Sequence, residues 1–157
     1  MTDPAKGSIA TTAEYAEADA MPRARVAHCD PSVETCENQP FPPAIAKPKR
    51  DKSPAEWAYE RVILYIQNFE KTLDSEHEVA MGFAGGDSGS LHIQGVGFFA
   101  PDLITFYGAD PSGAKTQLVQ HVSQLSVMLR AAPLPKDQKE PMRIGFQLAA
   151  KLEEDND

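Results

Sequence analysis

The chain has 157 residues and a hydrophobic content of 41%, which suits a single domain of moderate size. Its net charge is −8, and residues 51–135 hold ten acidic against five basic side chains, which argues against a general nucleic-acid coat protein. No apolar run approaches the roughly 20 residues that cross a bilayer, and residues 1–20 are too polar for a secretory signal. We therefore expect a cytoplasmic protein that spans no membrane.

Residues 1–50 contain seven of the 13 prolines but only two of the 12 aromatic side chains. Such a segment buries too little apolar area to offset the entropy lost on ordering, so we predict a disordered, proline-rich arm. Both cysteines, Cys29 and Cys36, lie in this arm. A structural zinc site usually has four ligands, and a disulfide framework needs more cysteines, so we expect reduced thiols and no metal.

An amphipathic helix is predicted from Ser53 to Leu73. Ser53 suits the N-cap, Pro54 suits the first helical position, and Glu56 completes a capping box. The apolar side chains recur at intervals of three and four residues and so share one face: Ala55, Tyr59, Val62, Ile66, Phe69 and Leu73. We expect that face to pack on a sheet.

Beyond the helix the apolar period changes to two, which indicates strands at residues 78–84, 91–99, 103–107, 116–122 and 125–130. Gly95 and Gly97, inside the second strand, are typical of a bulge or a sharp bend. Residues 110–113 have the order of a type I turn followed by a left-handed glycine, which predicts a hairpin. Helix and strands together predict one domain of residues 51–135.

Residues 136–157 are predicted to be a flexible acidic tail that contains a short apolar segment. Two roles stay open for Ile144, Phe146 and Leu148 in this segment. They dock on the chain's own domain, or they capture a protein partner.

The block from Ser53 to Arg130 resembles an uncharacterised bacterial family, domain of unknown function 6173, through HEVAMGF, PDLITFYG and QLVQHVSQLSVML. The order of one helix and five short strands is also similar to the Sm-like fold of the bacterial RNA chaperone Hfq. This resemblance implies a mainly β fold with one N-terminal helix: a small, bent, five-stranded antiparallel Sm-like barrel, flanked by disordered ends. It further implies a ring in which the fourth strand of one protomer pairs with the fifth of the next, and RNA contacts near Asp102 and His121.

A ligand site is predicted around His121, which lies at a strand break. Polar side chains there would hydrogen-bond a base edge while an aromatic ring stacks on the base face. The predicted ligand-binding residues are Phe99, Asp102, Tyr107, Gln120, His121, Ser123 and Gln124. The alternative is that these polar groups simply alternate with core residues. His77 and His92 are expected to be ordinary strand-end or surface residues.

Residues 86–90 look like the nucleophile loop of chymotrypsin-like serine proteases, with Ser88 as the nucleophile, and residues 26–29 look like their histidine box. A triad needs a rigid scaffold, whereas His28 lies in the proline-rich arm, so we expect no catalytic residues. The same glycine-rich loop lacks the Gly-Lys-Ser ending of a P-loop. We expect neither enzyme activity nor a cofactor.

The sequence therefore predicts a non-enzymatic homo-oligomer, arranged as a ring, that binds short single-stranded RNA or a nucleotide. The alternative is a protein-interaction adaptor. In that case the barrel would be an oligomeric hub, and the segment with Ile144, Phe146 and Leu148 would capture a partner.

Overall fold

The computed structural model describes residues 24–40, 42, 51–83 and 90–155. The chain forms two compact units, one that ends at Gln39 and one that begins at Pro40. In the first unit a short 3-10 helix, Cys36–Asn38, is held by local bonds, since the Asn38 side chain accepts from the Thr35 amide and donates to the Val33 carbonyl. Most of the predicted disordered arm lies outside the described residues, and so do residues 84–89.

The second unit is built on one antiparallel sheet of five strands, in the order β4-β3-β2-β1-β5. The strands are β1 (His77–Phe83), β2 (Ser90–Phe99), β3 (Leu103–Ala109), β4 (Lys115–His121) and β5 (Val127–Pro133). The prediction of five antiparallel strands is confirmed, with ends that differ by a few residues. The predicted barrel is wrong: β4 and β5 lie at opposite edges, and within the described residues they do not pair, so the sheet stays open.

Helix α1 spans Pro54–Glu70 and begins where the sequence predicted. Ser53 Oγ accepts from the Glu56 amide at 3.2 Å, and Pro54 occupies the first helical position, where it costs no hydrogen bond. The helix ends three residues before the predicted Leu73, because the chain tightens into a 3-10 turn in which the Leu73 amide bonds to the Glu70 carbonyl at 3.1 Å.

The core lies between α1 and the sheet. The predicted apolar face of the helix is confirmed, since Ala55, Val62 and Ile66 are buried and the other three members pack against the core. The largest fully buried apolar side chains are Ile63, Ile66, Met81, Ile104 and Phe106. On the sheet side the ring of Phe106 meets the ring of Phe83 with centroids 5.0 Å apart, a tilted aromatic contact.

An ion pair fixes the entry into α1. Lys52 Nζ lies 2.8 and 2.7 Å from the two carboxylate oxygens of Glu60, and both side chains are buried. The amide of Ala55 also donates to the Pro101 carbonyl at 3.0 Å, which ties the first turn of the helix to the β2–β3 turn. Separating Lys52 from Glu60 would leave a buried charge without a partner, which is costly. The pair therefore holds the residues before α1 against the helix.

A second helix, α2 (Ile144–Asp155), follows the sheet, so the prediction of a single helix was wrong. Ile144 and Leu152 are buried in the core cluster, and Leu148 packs against it. Their spacing of four residues places them on one helical face, which docks on the chain's own domain instead of forming a flexible tail. Phe146 of the same segment is 40% exposed. Within the described ranges, no helix is long and apolar enough to cross a membrane.

Gly145 and Glu70 join the two helices. A Cβ atom built on Gly145 would lie 2.6 Å from the Gln67 nitrogen and 2.8 Å from its Cα, closer than packed atoms approach. The buried Glu70 carboxylate, at the end of α1, accepts from the amides of Gly145 at 3.0 Å and Phe146 at 3.1 Å. It therefore caps amides of the first turn of α2 that have no partner within the helix.

We expect Gly145→Ala to destabilise the protein. The new methyl group must push α2 away from α1, and such overpacking costs about 1–3 kcal/mol, against about 1 kcal/mol gained in helix propensity. Urea unfolding followed by circular dichroism measures the difference. Gln147→Ala, at an exposed position of the same helix, is the control and should change stability by less than about 0.5 kcal/mol. Equal or higher stability of Gly145→Ala would contradict the packing of α2 on α1.

The buried Glu70 also predicts a pH dependence. Burial raises the pKa of the Glu70 carboxyl, although the amides of Gly145 and Phe146 and the charge of Arg143 lower it. The native state thus holds this proton more tightly than the unfolded chain does. The contribution of Glu70 to the stability of the folded state is therefore fully present at pH values below 4.5, the ordinary pKa of a glutamate. It is lost as the pH rises through the raised pKa of the native state.

Glu70→Gln, which does not titrate, isolates this contribution. The free energy of unfolding of the wild type minus that of Glu70→Gln should fall as the pH rises from below 4.5 toward neutrality. Chemical denaturation of both proteins across that range measures it. A difference that stays constant, or that grows with pH, would show that burial does not dominate at this carboxyl.

Candidate ligand-binding site

The β2–β3 turn and the β4–β5 connection lie side by side. Leu103 pairs with His121 in the β3–β4 ladder, and the Val122 amide donates to the Asp102 carbonyl at 2.8 Å. Directly after β4, residues 122–124 form a 3-10 helix. The fold therefore brings together two turns that are about 20 residues apart in the chain, as the predicted site requires.

Hydrogen bonds orient the His121 ring. Nδ1 accepts from the Ser123 amide at 3.0 Å, so in the neutral ring the proton is on Nε2, which lies 3.2 Å from Asp102 Oδ2. Gln124 Oε1 accepts from the His121 amide at 3.2 Å, which closes a capping box around the short helix. Asp102 and His121 are each close to half exposed, so their pair adds little stability and is accessible to a ligand.

Phe99 lies on the same side of the sheet as His121. In the ladder Phe99 pairs with Leu103 and Leu103 with His121, and alternation along a strand places all three on the sheet face opposite α1. The Phe99 side chain is 74% exposed, an unusual position for a large apolar group. Its ring therefore lies on the same outer face as His121, with Leu103 between the two residues in the ladder.

Tyr107 lies on the same face, four residues further along β3, or about 13 Å from the row of Phe99. A Cβ atom built on Gly95 would be 3.6 Å from Tyr107 Cδ2, and one built on Gly97 would be 3.7 Å from Cε2. The tyrosine ring therefore extends along the two glycines of β2. A bulge between Ile93 and Gly95 confirms the irregularity that these glycines predicted.

Gln120 does not join the other predicted residues. It pairs with Ile104, and alternation places its side chain on the face toward α1. Its Oε1 is buried and has no hydrogen-bond partner within the described residues. The structure thus brings together Phe99, Asp102, His121, Ser123 and Gln124, while Tyr107 lies at a distance on the same face and Gln120 on the other.

His92 was expected to be an ordinary strand-end or surface residue, and Glu78 was not singled out by the sequence, yet the two form a pair on the outer face of β1 and β2. His92 Nδ1 lies 3.0 Å from Glu78 Oε1, and both side chains are mostly buried. The residues are 14 positions apart in the chain and meet because Ala80 pairs with His92 in the β1–β2 ladder. Only the strand register reveals this contact, so no sequence motif could have indicated it.

The expectation for the protease-like serine and histidine stays a prediction. Ser88 lies outside the described residues, and His28 is exposed in the first unit, where its Nδ1 accepts from the Asp30 amide at 2.9 Å. Among the residues described, no group of three or more histidine, cysteine, aspartate or glutamate side chains is arranged to hold a metal ion.

Comparison with known proteins identifies the family. No significant match was found among curated proteins or among solved structures. Residues 50–147 match a family of unknown function, DUF6173, and this range contains α1, all five strands and the start of α2. Since the match covers more than half of the 157 residues, the chain belongs to the DUF6173 family.

Proposed function

We propose that the protein is a non-enzymatic, homo-oligomeric binding protein of the Sm-like type. The strand order supports this proposal, because it leaves β4 and β5 at the two edges of the sheet. These are the strands that the resemblance to the RNA chaperone pairs between protomers. Repeated β4–β5 pairing would close a ring and satisfy the backbone groups of both edges.

Exposed apolar side chains on both edge strands also support oligomerisation. Val119 of β4 is 54% exposed and Met128 of β5 is 59% exposed. Both lie on the sheet face away from α1, so strand pairing between protomers would bring them onto one continuous face. Apolar side chains on an open edge strand favour association with another chain.

The observation that carries the proposed binding activity is the exposed ring of Phe99 on the same outer face as His121, which bonds to Asp102. Because His121 donates to one Asp102 oxygen, the other oxygen is a hydrogen-bond acceptor for the amino group of a base that stacks on Phe99. The ligand class is a short single-stranded RNA or a nucleotide. Its phosphates gain little from a domain with ten acidic and five basic residues, so stacking and hydrogen bonds supply the affinity.

The adaptor alternative has less support. It requires the apolar segment of α2 to be available to a partner, but Ile144 is buried and Leu148 packs on the core. Phe146 alone of the three is substantially exposed.

The edge contact gives a test of assembly. We expect the wild type to be a discrete oligomer at micromolar concentration. Val119→Asp or Met128→Asp should weaken association about tenfold or more, since each replaces an apolar side chain at the proposed interface by a charge. Native mass spectrometry measures both. Val33→Asp, an equal change at an exposed position of the first unit, should leave the assembly intact. A wild-type chain that is monomeric under these conditions would overturn the ring.

Ligand binding is tested by titrating short oligoribonucleotides and mononucleotides, followed by fluorescence anisotropy. Loss of one stacked base costs about 1–3 kcal/mol, so Phe99→Ala should weaken binding about fivefold or more. His121→Ala should weaken it as well, and the salt dependence of wild-type binding should be shallow. Tyr65→Ala, which removes an exposed aromatic side chain from α1, is the control. Absence of wild-type binding at high micromolar concentration, or equal binding by Phe99→Ala, would refute this ligand class.

A further inference from the structure

A cleft of about 690 Å³ lies on the other half of the outer sheet face, and we call it the Glu78–His92 cleft. Its floor is formed by Glu78 of β1 and His92 of β2, and its walls by the β3–β4 turn at residues 110–113 and by residues 135–138 after β5. This volume is typical of small-molecule sites, about 300–1,000 Å³. The cleft shares no lining residue with the Phe99–His121 site.

The histidine on the floor is held in one orientation. Glu78 Oε2 accepts from Gln138 Nε2 at 2.7 Å and from the Met142 amide at 3.0 Å, and Oε1 meets His92 Nδ1 at 3.0 Å. A carboxylate with these partners accepts hydrogen bonds, so the neutral ring carries its proton on Nδ1 and leaves Nε2 as an acceptor. Within residues 51–83 and 90–155 the structure shows no hydrogen bond to Nε2.

The walls are preformed. Asp110 Oδ1 accepts from the Ser112 amide at 2.9 Å, the Ser112 hydroxyl at 2.6 Å and the Ala114 amide at 2.9 Å, and Gly113 follows in the left-handed region. The opposite wall is fixed to the floor by Gln138 and Met142 through Glu78. A ligand would therefore cost little ordering of the protein on binding.

The lining defines the chemistry of a ligand. In the neutral ring His92 Nε2 is an acceptor, Glu78, Asp110 and Asp137 are carboxylates, and Lys136 is the one lysine or arginine among the described lining residues. Apolar surface comes from Pro111, Pro135 and Met142. We propose that the Glu78–His92 cleft binds a small organic cation, an amine or guanidinium compound whose N–H groups donate to His92 Nε2 and whose alkyl part lies against the prolines.

Nuclear magnetic resonance of the full chain tests this proposal with butylammonium and butylguanidinium as probes. We expect saturable shifts of the amide signals of Gln94, Ser112 and Gly113, which line the cleft. His92→Asn keeps a donor at the Nδ1 position for Glu78 but lacks Nε2, so it should bind about tenfold more weakly. His77→Asn is the matched control, because His77 Nδ1 bonds to the Asp74 carboxylate, at 2.7 Å, outside the cleft.

Asp137→Asn removes one negative charge from the wall of the cleft. It provides a second test of cation binding if His92→Asn does not fold. It should weaken binding of both cations severalfold and leave stability unchanged. The proposal is overturned if neither cation gives saturable shifts at millimolar concentration, if His92→Asn binds like wild type, or if butyrate or butanol binds as tightly as the cations. None of these readouts depends on the oligomeric state or on RNA binding.

Discussion

The buried carboxylate of Glu78 is the contact on which the remainder of the fold depends. It lies on β1, the strand that pairs with both β2 and β5, and it accepts hydrogen bonds from His92, Gln138 and the Met142 amide. A buried carboxylate without partners would cost several kcal/mol, so these donors must stay in place. The chain after β5 is thereby held against the sheet. That path leads directly into α2.

A second buried carboxylate completes this attachment. Glu70 caps α2, and Arg143 donates to the carbonyls of His77 at 2.8 Å and Asp74 at 2.7 Å. Together with Glu78 these bonds tie the C-terminal segment to the sheet and to α1. These bonds join polar groups, which the periodicity of apolar residues in the sequence does not predict. Because of them the acidic segment after β5 is part of the folded unit.

The sheet presents two different surfaces. The face toward α1 is closed by the helix and forms the core, whereas the opposite face carries Phe99, Tyr107 and Val119 in the open and the Glu78–His92 cleft at its far side. Within the part of the chain that the structure describes, β4 and β5 each pair with one neighbouring strand and so form the two edges of the sheet. The proposed ring would pair these two edges, whereas both proposed ligand sites lie on the outer face of the sheet.

The sequence by itself determined the elements whose signals are local. The cap at Ser53, the helical face of Ala55 and Ile66 and the turn at Asp110 depend on neighbouring residues alone, and the structure has each of them. It also placed His121 beside a strand break. Only the tertiary structure decided that the sheet stays open, that Ile144 is buried, that Gln120 faces α1 and that His92 meets Glu78. These features depend on strand register and on contacts between distant residues, which short-range patterns do not encode.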